Sequence, residues 1–227
     1  VPLLYFDSAL IPHLQNYPTE KKQRGRAAFF ASNDFALNNR FEWAAELMEH
    51  MPVDSYGKSQ NNCQLKFTDS GRMTKLETIR EYDFYLAFEN SNCIDYVSEK
   101  MFDGLISGTV PVYLGAPNVD DYLPGNNCII KATDFANGAD LAKFLLEVSA
   151  DRQRYSEYLK WKNEPLRPDF LTLVHERDEE PLRRLCAKLL ELKPMATQPI
   201  GPLSIETPQQ VDVLQRIKGL AKRFLPL

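Results

Sequence analysis

Nothing in these 227 residues approaches the apolar run of roughly 20 residues that a membrane-spanning helix needs. No secretory leader is visible. The chain starts at Val1 rather than Met and reads as a fragment, which leaves room for an anchor upstream. There is no basic block. The 27 lysines and arginines are mixed with 31 acidic residues, for a net charge of −4, and this argues against a broad nucleic-acid surface. Histidine is scarce, with His13, His50 and His175 far apart. The four cysteines, Cys63, Cys93, Cys128 and Cys186, include no CxxC pair, so no zinc site is expected from them. Cys128, in the run Cys128–Ile129–Ile130, reads as a small buried apolar residue. Two disulfides could form, but nothing requires an oxidising compartment, and there is no N-x-S/T sequon.

Absent motifs exclude whole activities. No GxGxxG follows a strand-like run, which disfavours a dinucleotide dehydrogenase. No GxxxxGK[ST] phosphate loop and no GxSxG nucleophile elbow are present. No DxD-like pair follows an apolar strand in the manner of metal-dependent sugar transferases. Asp120–Asp121 is an adjacent pair and reads as a helix start or loop. A phosphate site made from Lys, Arg and backbone dipoles suits this chain better than a Mg²⁺ or Mn²⁺ site. There is no internal repeat.

What is present is ample for a core: hydrophobic residues make up 44% of the chain. Short apolar runs alternate with amphipathic stretches. Strands are expected at 27–31, 53–56, 84–88, 109–114 and 128–131. Helices are expected at 40–50, 74–81, 99–106, 140–148, 150–162 and 179–192. This alternation predicts an α/β fold with a parallel sheet and helices on both faces. Residues 1–25 read as the remnant of a preceding domain plus a linker, 26–193 as the main domain, and 194–227 as a proline-containing linker and a terminal amphipathic helix. In that last stretch Lys218, Lys222 and Arg223 flank Ile217, Leu220 and Phe224. The segment suits either an anionic membrane surface or packing on the domain.

Ligands of parallel sheets sit outside the carboxyl ends of the strands, which directs attention to the loops after Ala31 and Phe88. The second leads into Tyr96–Val97–Ser98–Glu99–Lys100. Ser98 is a good helix N-cap, so Glu99 and Lys100 fall in the first turn, where free N–H groups and the helix dipole favour an anion. A phosphate fits there. An ordinary capped helix start, with Lys100 in water, fits the same pattern. Arg40 opens the helix after the first strand and could face the same cleft, or be a solvated arginine. Asn90 could hydrogen-bond a ligand or form a turn. Tyr96 could donate to a ligand oxygen or pack. Gly57 and Gly115 read as turn glycines.

The stretch FYLAFENS…DYVSEK…GTVPVYLG closely resembles the donor-binding motif of the α1,3/4-fucosyltransferases. Support extends to Ser32–Asn33 through Arg40, to Pro52–Val53–Asp54–Ser55–Tyr56–Gly57–Lys58 and to Asp134–Phe135, so the resemblance covers about residues 26–170. It implies a GT-B fold, two Rossmann-like domains facing a cleft, with this chain holding largely the C-terminal donor domain. It implies inverting transfer of L-fucose from GDP-β-L-fucose to an N-acetylglucosamine hydroxyl of a glycan, with no obligatory metal or other cofactor. Arg40 and Lys100 would hold the diphosphate, Asn90 and Tyr96 would contact the donor, and Glu99 would serve catalysis by stabilising positive charge on the sugar. The general base would belong to the preceding domain; Glu42 and Glu46 lie on a donor-domain helix and are poor candidates. Eukaryotic relatives often carry paired cysteines near the end of this domain, whereas residues 175–190 hold only Cys186. Golgi-lumenal membrane proteins are the expected setting, with the bacterial cytoplasm or membrane periphery as the alternative. Two other functions remain open: a truncated nucleotide-sugar-binding module without turnover, and a GT-B transferase using another nucleotide sugar.

Overall fold

The computed structural model describes residues 6–15, 21–66 and 68–178. The helix expected at 179–192, Cys186, and the linker and terminal helix of 194–227 lie outside the described residues. In chain order the elements are α1 (Ile11–Gln15), β1 (Gln23–Phe29), α2 (Arg40–His50), β2 (Val53–Ser55), α3 (Arg72–Ile79), β3 (Tyr82–Phe88), α4 (Glu99–Ile106), β4 (Val110–Leu114), β5 (Ile130–Lys131), α5 (Gly138–Ala150), α6 (Arg152–Glu157) and α7 (Pro168–Asp178). The five strands form one parallel sheet in the order β2-β1-β3-β4-β5.

The alternation of side chains along β3 explains the layers. Phe84, Leu86 and Phe88 meet Ala44 and Leu47 of α2 and Leu141 and Leu145 of α5 in one core. Tyr85 and Ala87 belong to the opposite core, with Met101, Phe102 and Leu105 of α4. Every residue of β3 and β4 is buried, as expected of strands covered on both faces. Each fully buried Leu or Phe contributes roughly 1.5–3 kcal/mol of transfer free energy. Residues 6–15 pack on the α4 face, where Phe6 and Leu14 have no exposed surface.

Several boundaries differ from the sequence expectation for physical reasons. Strand β1 starts at Gln23, within the polar stretch expected to be linker, because Gln23 pairs with Tyr82 across a register shift. Gly25 sits at φ +67°, and its N–H donates to Asp83 Oδ2 and Ser149 Oγ, both at 2.9 Å. The helix expected at 150–162 divides into α6 and a 3-10 turn at Lys160–Asn163. Asp151, whose carboxylate accepts from the N–H groups of Gln153 and Arg154, caps the new start. Helices α1 and α7 were not anticipated. Gly57 and Gly115 both lie at bends, as expected, but neither has positive φ. A Cβ on Gly57 would lie 1.8 Å from Ala31 O, and one on Gly115 would lie 2.5 Å from Tyr113 Oη and 2.6 Å from Glu89 Cγ. Both allow close approach of neighbouring groups.

Candidate functional site

With this strand order the chain direction reverses across β1 and β3: β1 leads outward to β2, and β3 leads the other way to β4. The loops after these two strands separate and leave a crevice at their carboxyl ends. A cavity of about 410 Å³ lies there. Among its walls are Asn33 after β1, Arg40 at the start of α2, Asn90 after β3, and Glu99 and Lys100 at the start of α4. Two helix starts thus open on one space.

The loops are tied to each other. Leu37 N–H donates to Asn90 O at 2.7 Å, and Asn38 Nδ2 donates to Glu89 O at 3.1 Å. Arg40 joins them from below. It is 1% exposed, so the reading of a solvated arginine does not hold. Its Nη1 donates to Asn90 Oδ1 and, at 3.5 Å, to Phe88 O; its Nη2 donates to Asn33 O. Its Nε is buried without a protein partner. Burial lowers the guanidinium pKa, and Glu89, Tyr96 and Asp34 oppose that shift; an arginine stays charged regardless. Asn90 is therefore more than a turn residue, because its side chain orients the cation.

At α4 the Ser98 hydroxyl caps Lys100 N–H, as the sequence indicated. Lys100 Nζ donates to Ser98 Oγ at 2.9 Å, to Glu89 Oε2 at 3.3 Å and to Glu99 Oε1 at 3.4 Å. Burial pulls the ammonium pKa down, but Glu89 and Glu99 outweigh it and the net shift is upward. For Glu99 burial pushes the pKa up. Lys100, its own backbone N–H and Lys75 prevail, and the carboxyl falls below its ordinary range. At neutral pH the wall therefore presents a fixed carboxylate and fixed cations.

Tyr96 stands apart. It is half-buried on the loop before Ser98, its carbonyl accepts from Tyr113 Oη at 3.5 Å, and it does not line the cavity. Three further residues were not singled out from sequence. Glu89 is fully buried behind Lys100. Lys75 of α3 lines the cavity while donating to the buried Asp103 at 2.8 Å. Tyr56 stacks on Phe30 at 4.9 Å, and both line the cavity. Glu89 had a signal, a charged residue closing an apolar strand. Lys75 had none, since only the packing of α3 brings it to the wall. Among the described residues no three His, Cys, Asp or Glu side chains come together as a metal-binding set. Cys63, Cys93 and Cys128 are free thiols, and Cys128 is 1% exposed, as its apolar run indicated.

A doubly covered parallel sheet with cations and two helix starts at its switch point defines a Rossmann-type domain suited to an anionic nucleotide ligand. Comparison with known proteins narrows this. Residues 19–200 match the model of glycosyltransferase family 10 (fucosyltransferase), C-terminal part, and the chain belongs to that family. It is 34% identical over 166 residues to GDP-fucose protein O-fucosyltransferase 3 of Gallus gallus, covering 69% of this chain and 34% of that one. It is 32% identical over 141 residues to alpha-(1,3)-fucosyltransferase B of Drosophila melanogaster, covering 59% of this chain and 32% of that one. A crystal structure of an α1,3-fucosyltransferase with GDP-fucose superposes with a TM-score of 0.51 at 26% identity, covering 65% of this chain and 43% of that chain. The chain spans about a third of the length of the curated relatives it matches. Its α/β sheet is of the GT-B type.

Proposed function

We propose that this chain is the donor-binding domain of an enzyme that transfers L-fucose from GDP-β-L-fucose to a hydroxyl group, with inversion at the anomeric carbon. One observation carries the reading: Arg40, Asn90, Glu99 and Lys100, drawn from two separate strand–helix units, line a single cavity. In this reading Arg40 and Lys100 bind the diphosphate, Arg40 from a buried position in the cavity wall where its Nε has no protein partner. Asn90 sets the guanidinium. Tyr96, which the family resemblance sets against the donor, does not line this cavity. The acceptor oxygen bonds to C1 as the C1–O bond to phosphate breaks, and the bonding pair leaves with GDP. The two cations stabilise that leaving charge, and the Glu99 carboxylate stabilises the positive charge growing on the sugar. The low pKa of Glu99 suits this electrostatic role and disfavours proton donation. The acceptor's proton goes to a base outside the donor domain. In this proposal the transfer requires no resident metal.

The acceptor follows from the family resemblance as an N-acetylglucosamine hydroxyl of a glycan, giving an α1,3 linkage. A second reading, a hydroxyl of a polypeptide side chain, draws on the relative from Gallus gallus, whose name is that of a protein O-fucosyltransferase. A Golgi-lumenal setting belongs to the same proposal; no helix among the described residues is long and apolar enough to cross a membrane. The test is calorimetry and transfer with the intact protein. GDP and GDP-fucose are expected to bind, and UDP-sugars are expected not to compete. Transfer to an N-acetylglucosamine-terminated glycan, rather than to a serine- or threonine-containing polypeptide, supports the first acceptor. GDP binding with transfer to neither leaves a binding module without turnover. No GDP binding refutes the donor reading.

A further inference from the structure

Glu89 is the buried charge that the transfer chemistry leaves without a task. It has no exposed surface and directly follows the last residue of β3. Its backbone N–H donates to Leu114 O at 2.7 Å, which continues the β3–β4 pairing by one residue and fixes its backbone. Its side chain is confined by Gly115, where even a methyl group would come within 2.6 Å of Glu89 Cγ. The carboxylate then grips the start of α4 at two points. Oε1 accepts from Ser98 N–H at 2.7 Å, and Oε2 accepts from the Ser98 hydroxyl at 2.7 Å. Oε2 also accepts from Lys100 Nζ at 3.3 Å.

This arrangement has a directional consequence. A serine hydroxyl has one proton and two lone pairs. Because the Ser98 proton goes to Glu89, its lone pairs face the Lys100 N–H and the Lys100 ammonium, which lie at 3.4 and 2.9 Å. A lysine side chain is otherwise a flexible stem carrying a point charge. Here two oxygens on the protein side hold that charge against the cavity wall, where only 14% of the side chain remains exposed. Capping alone does not need Glu89, since a serine hydroxyl caps a helix unaided. A buried carboxylate also carries a large desolvation cost, which its contacts with Ser98 and Lys100 offset.

We propose that Glu89 is a positioning residue for the diphosphate, acting through Ser98 and Lys100 to fix the ammonium in the place where the anion arrives. The inference rests on the donor reading above and names no contact between Glu89 and the ligand. Its test is a double-mutant cycle on GDP affinity, measured by calorimetry in the intact protein. Glu89→Gln keeps the size of the side chain and one acceptor oxygen. It is expected to weaken GDP about fivefold, Lys100→Ala about tenfold or more, and the double variant no more than Lys100→Ala alone. Unchanged affinity in Glu89→Gln, or losses that simply add, overturns the proposal. In the transfer assay Glu89→Gln is expected to raise the donor KM, as Lys100→Ala does. A purely structural role would shrink the folded fraction, lowering apparent kcat while leaving KM alone, and that result also overturns it. If Glu89→Gln does not fold, Glu89→Asp, which withdraws the carboxylate from Ser98 and Lys100, replaces it in the same cycle with the same two outcomes: coupling to Lys100 supports the proposal and additivity overturns it. Absence of GDP binding in the unmodified protein would remove the donor reading itself. Normal GDP binding lost in Lys100→Ala but untouched by Glu89→Gln would remove this inference alone.

Discussion

Replacing Arg40 by alanine tests the site where the geometry is most demanding. The guanidinium reaches three protein acceptors: Asn33 O, Asn90 Oδ1 and Phe88 O. Of the five guanidinium N–H groups two have no protein acceptor, one at Nη2 and the buried one at Nε. A hydrogen bond to a charged group contributes about 1.5–3 kcal/mol, so loss of one phosphate contact weakens GDP by about ten- to a hundredfold. The same change strips donors from acceptors held in the loops, with an expected stability cost of about 1–3 kcal/mol. The two effects separate by experiment. Thermal unfolding reports the second. Calorimetry well below the melting temperature reports the first, with guanosine as the control ligand because it lacks phosphates. GDP affinity is expected to fall by the stated factor while guanosine affinity changes by less than about twofold. An Arg40→Lys variant is expected to recover only part of the loss, because one ammonium cannot serve a fork of three acceptors. A folded Arg40→Ala protein that binds GDP normally would refute the reasoning, as would an equal loss of guanosine.

Three further outcomes are expected. Glu99→Gln spares or slightly strengthens GDP binding, because it removes a negative charge from the cavity wall, and it lowers kcat for transfer; a strong loss of GDP affinity with unchanged kcat contradicts this. Because the Glu99 pKa in the folded protein lies below its ordinary value of 4.5, its charge is retained as pH falls through that value and lost only at lower pH. Any acid limb of the rate profile owed to Glu99 therefore sits below pH 4.5, and Glu99→Gln abolishes it. Gly57→Ala forces a methyl into the backbone of Ala31, so the loop after β1 shifts; lower melting temperature together with weaker GDP binding is expected, and unchanged values in both assays would show that the contact yields freely. Lys162 is 5% exposed, its ammonium donates to Leu105 O at 2.8 Å and also to Leu14 O, and burial lowers its pKa from 10.5 to about 8. Between those values the unfolded chain holds the proton more tightly, so this lysine makes stability rise with pH, by on the order of 3 kcal/mol across the window. Denaturant unfolding at pH 8 and at pH 10.5 should show a smaller rise in Lys162→Met, and an identical rise would sink this assignment.

The parts of the molecule legible from sequence share one property: a local pattern decided them. Helices α2 and α4 have the expected bounds because their apolar spacing lies within each helix, and α4 also has the side-chain cap of Ser98. The apolar runs of β3 and β4 announced doubly covered strands, and their alternation with helices announced the parallel sheet. The gathering of Arg40, Asn90, Glu99 and Lys100 followed from one topological rule, that ligands lie beyond the carboxyl ends of parallel strands.

What escaped was decided by groups distant in the chain. The polar start of β1 is held by backbone pairing with β3 and by Asp83 and Ser149, which accept from Gly25 N–H. Gly57 and Gly115 lie at bends, but the need for glycine there comes from the backbone of Ala31 and the side chains of Tyr113 and Glu89 beside them. Lys75 reaches the cavity from α3, whose expected span began two residues after the observed start at Arg72. Glu89 is the instructive case. Its sequence signal, a carboxylate ending an apolar strand, is visible, but its meaning depends on Ser98 and Lys100 lying across the loop from it. A motif can therefore identify where an anion binds before it shows which residue holds the binding cation still. Substitutions at Lys100 and Glu89 must accordingly be interpreted as a coupled pair, since neither single variant measures one contact.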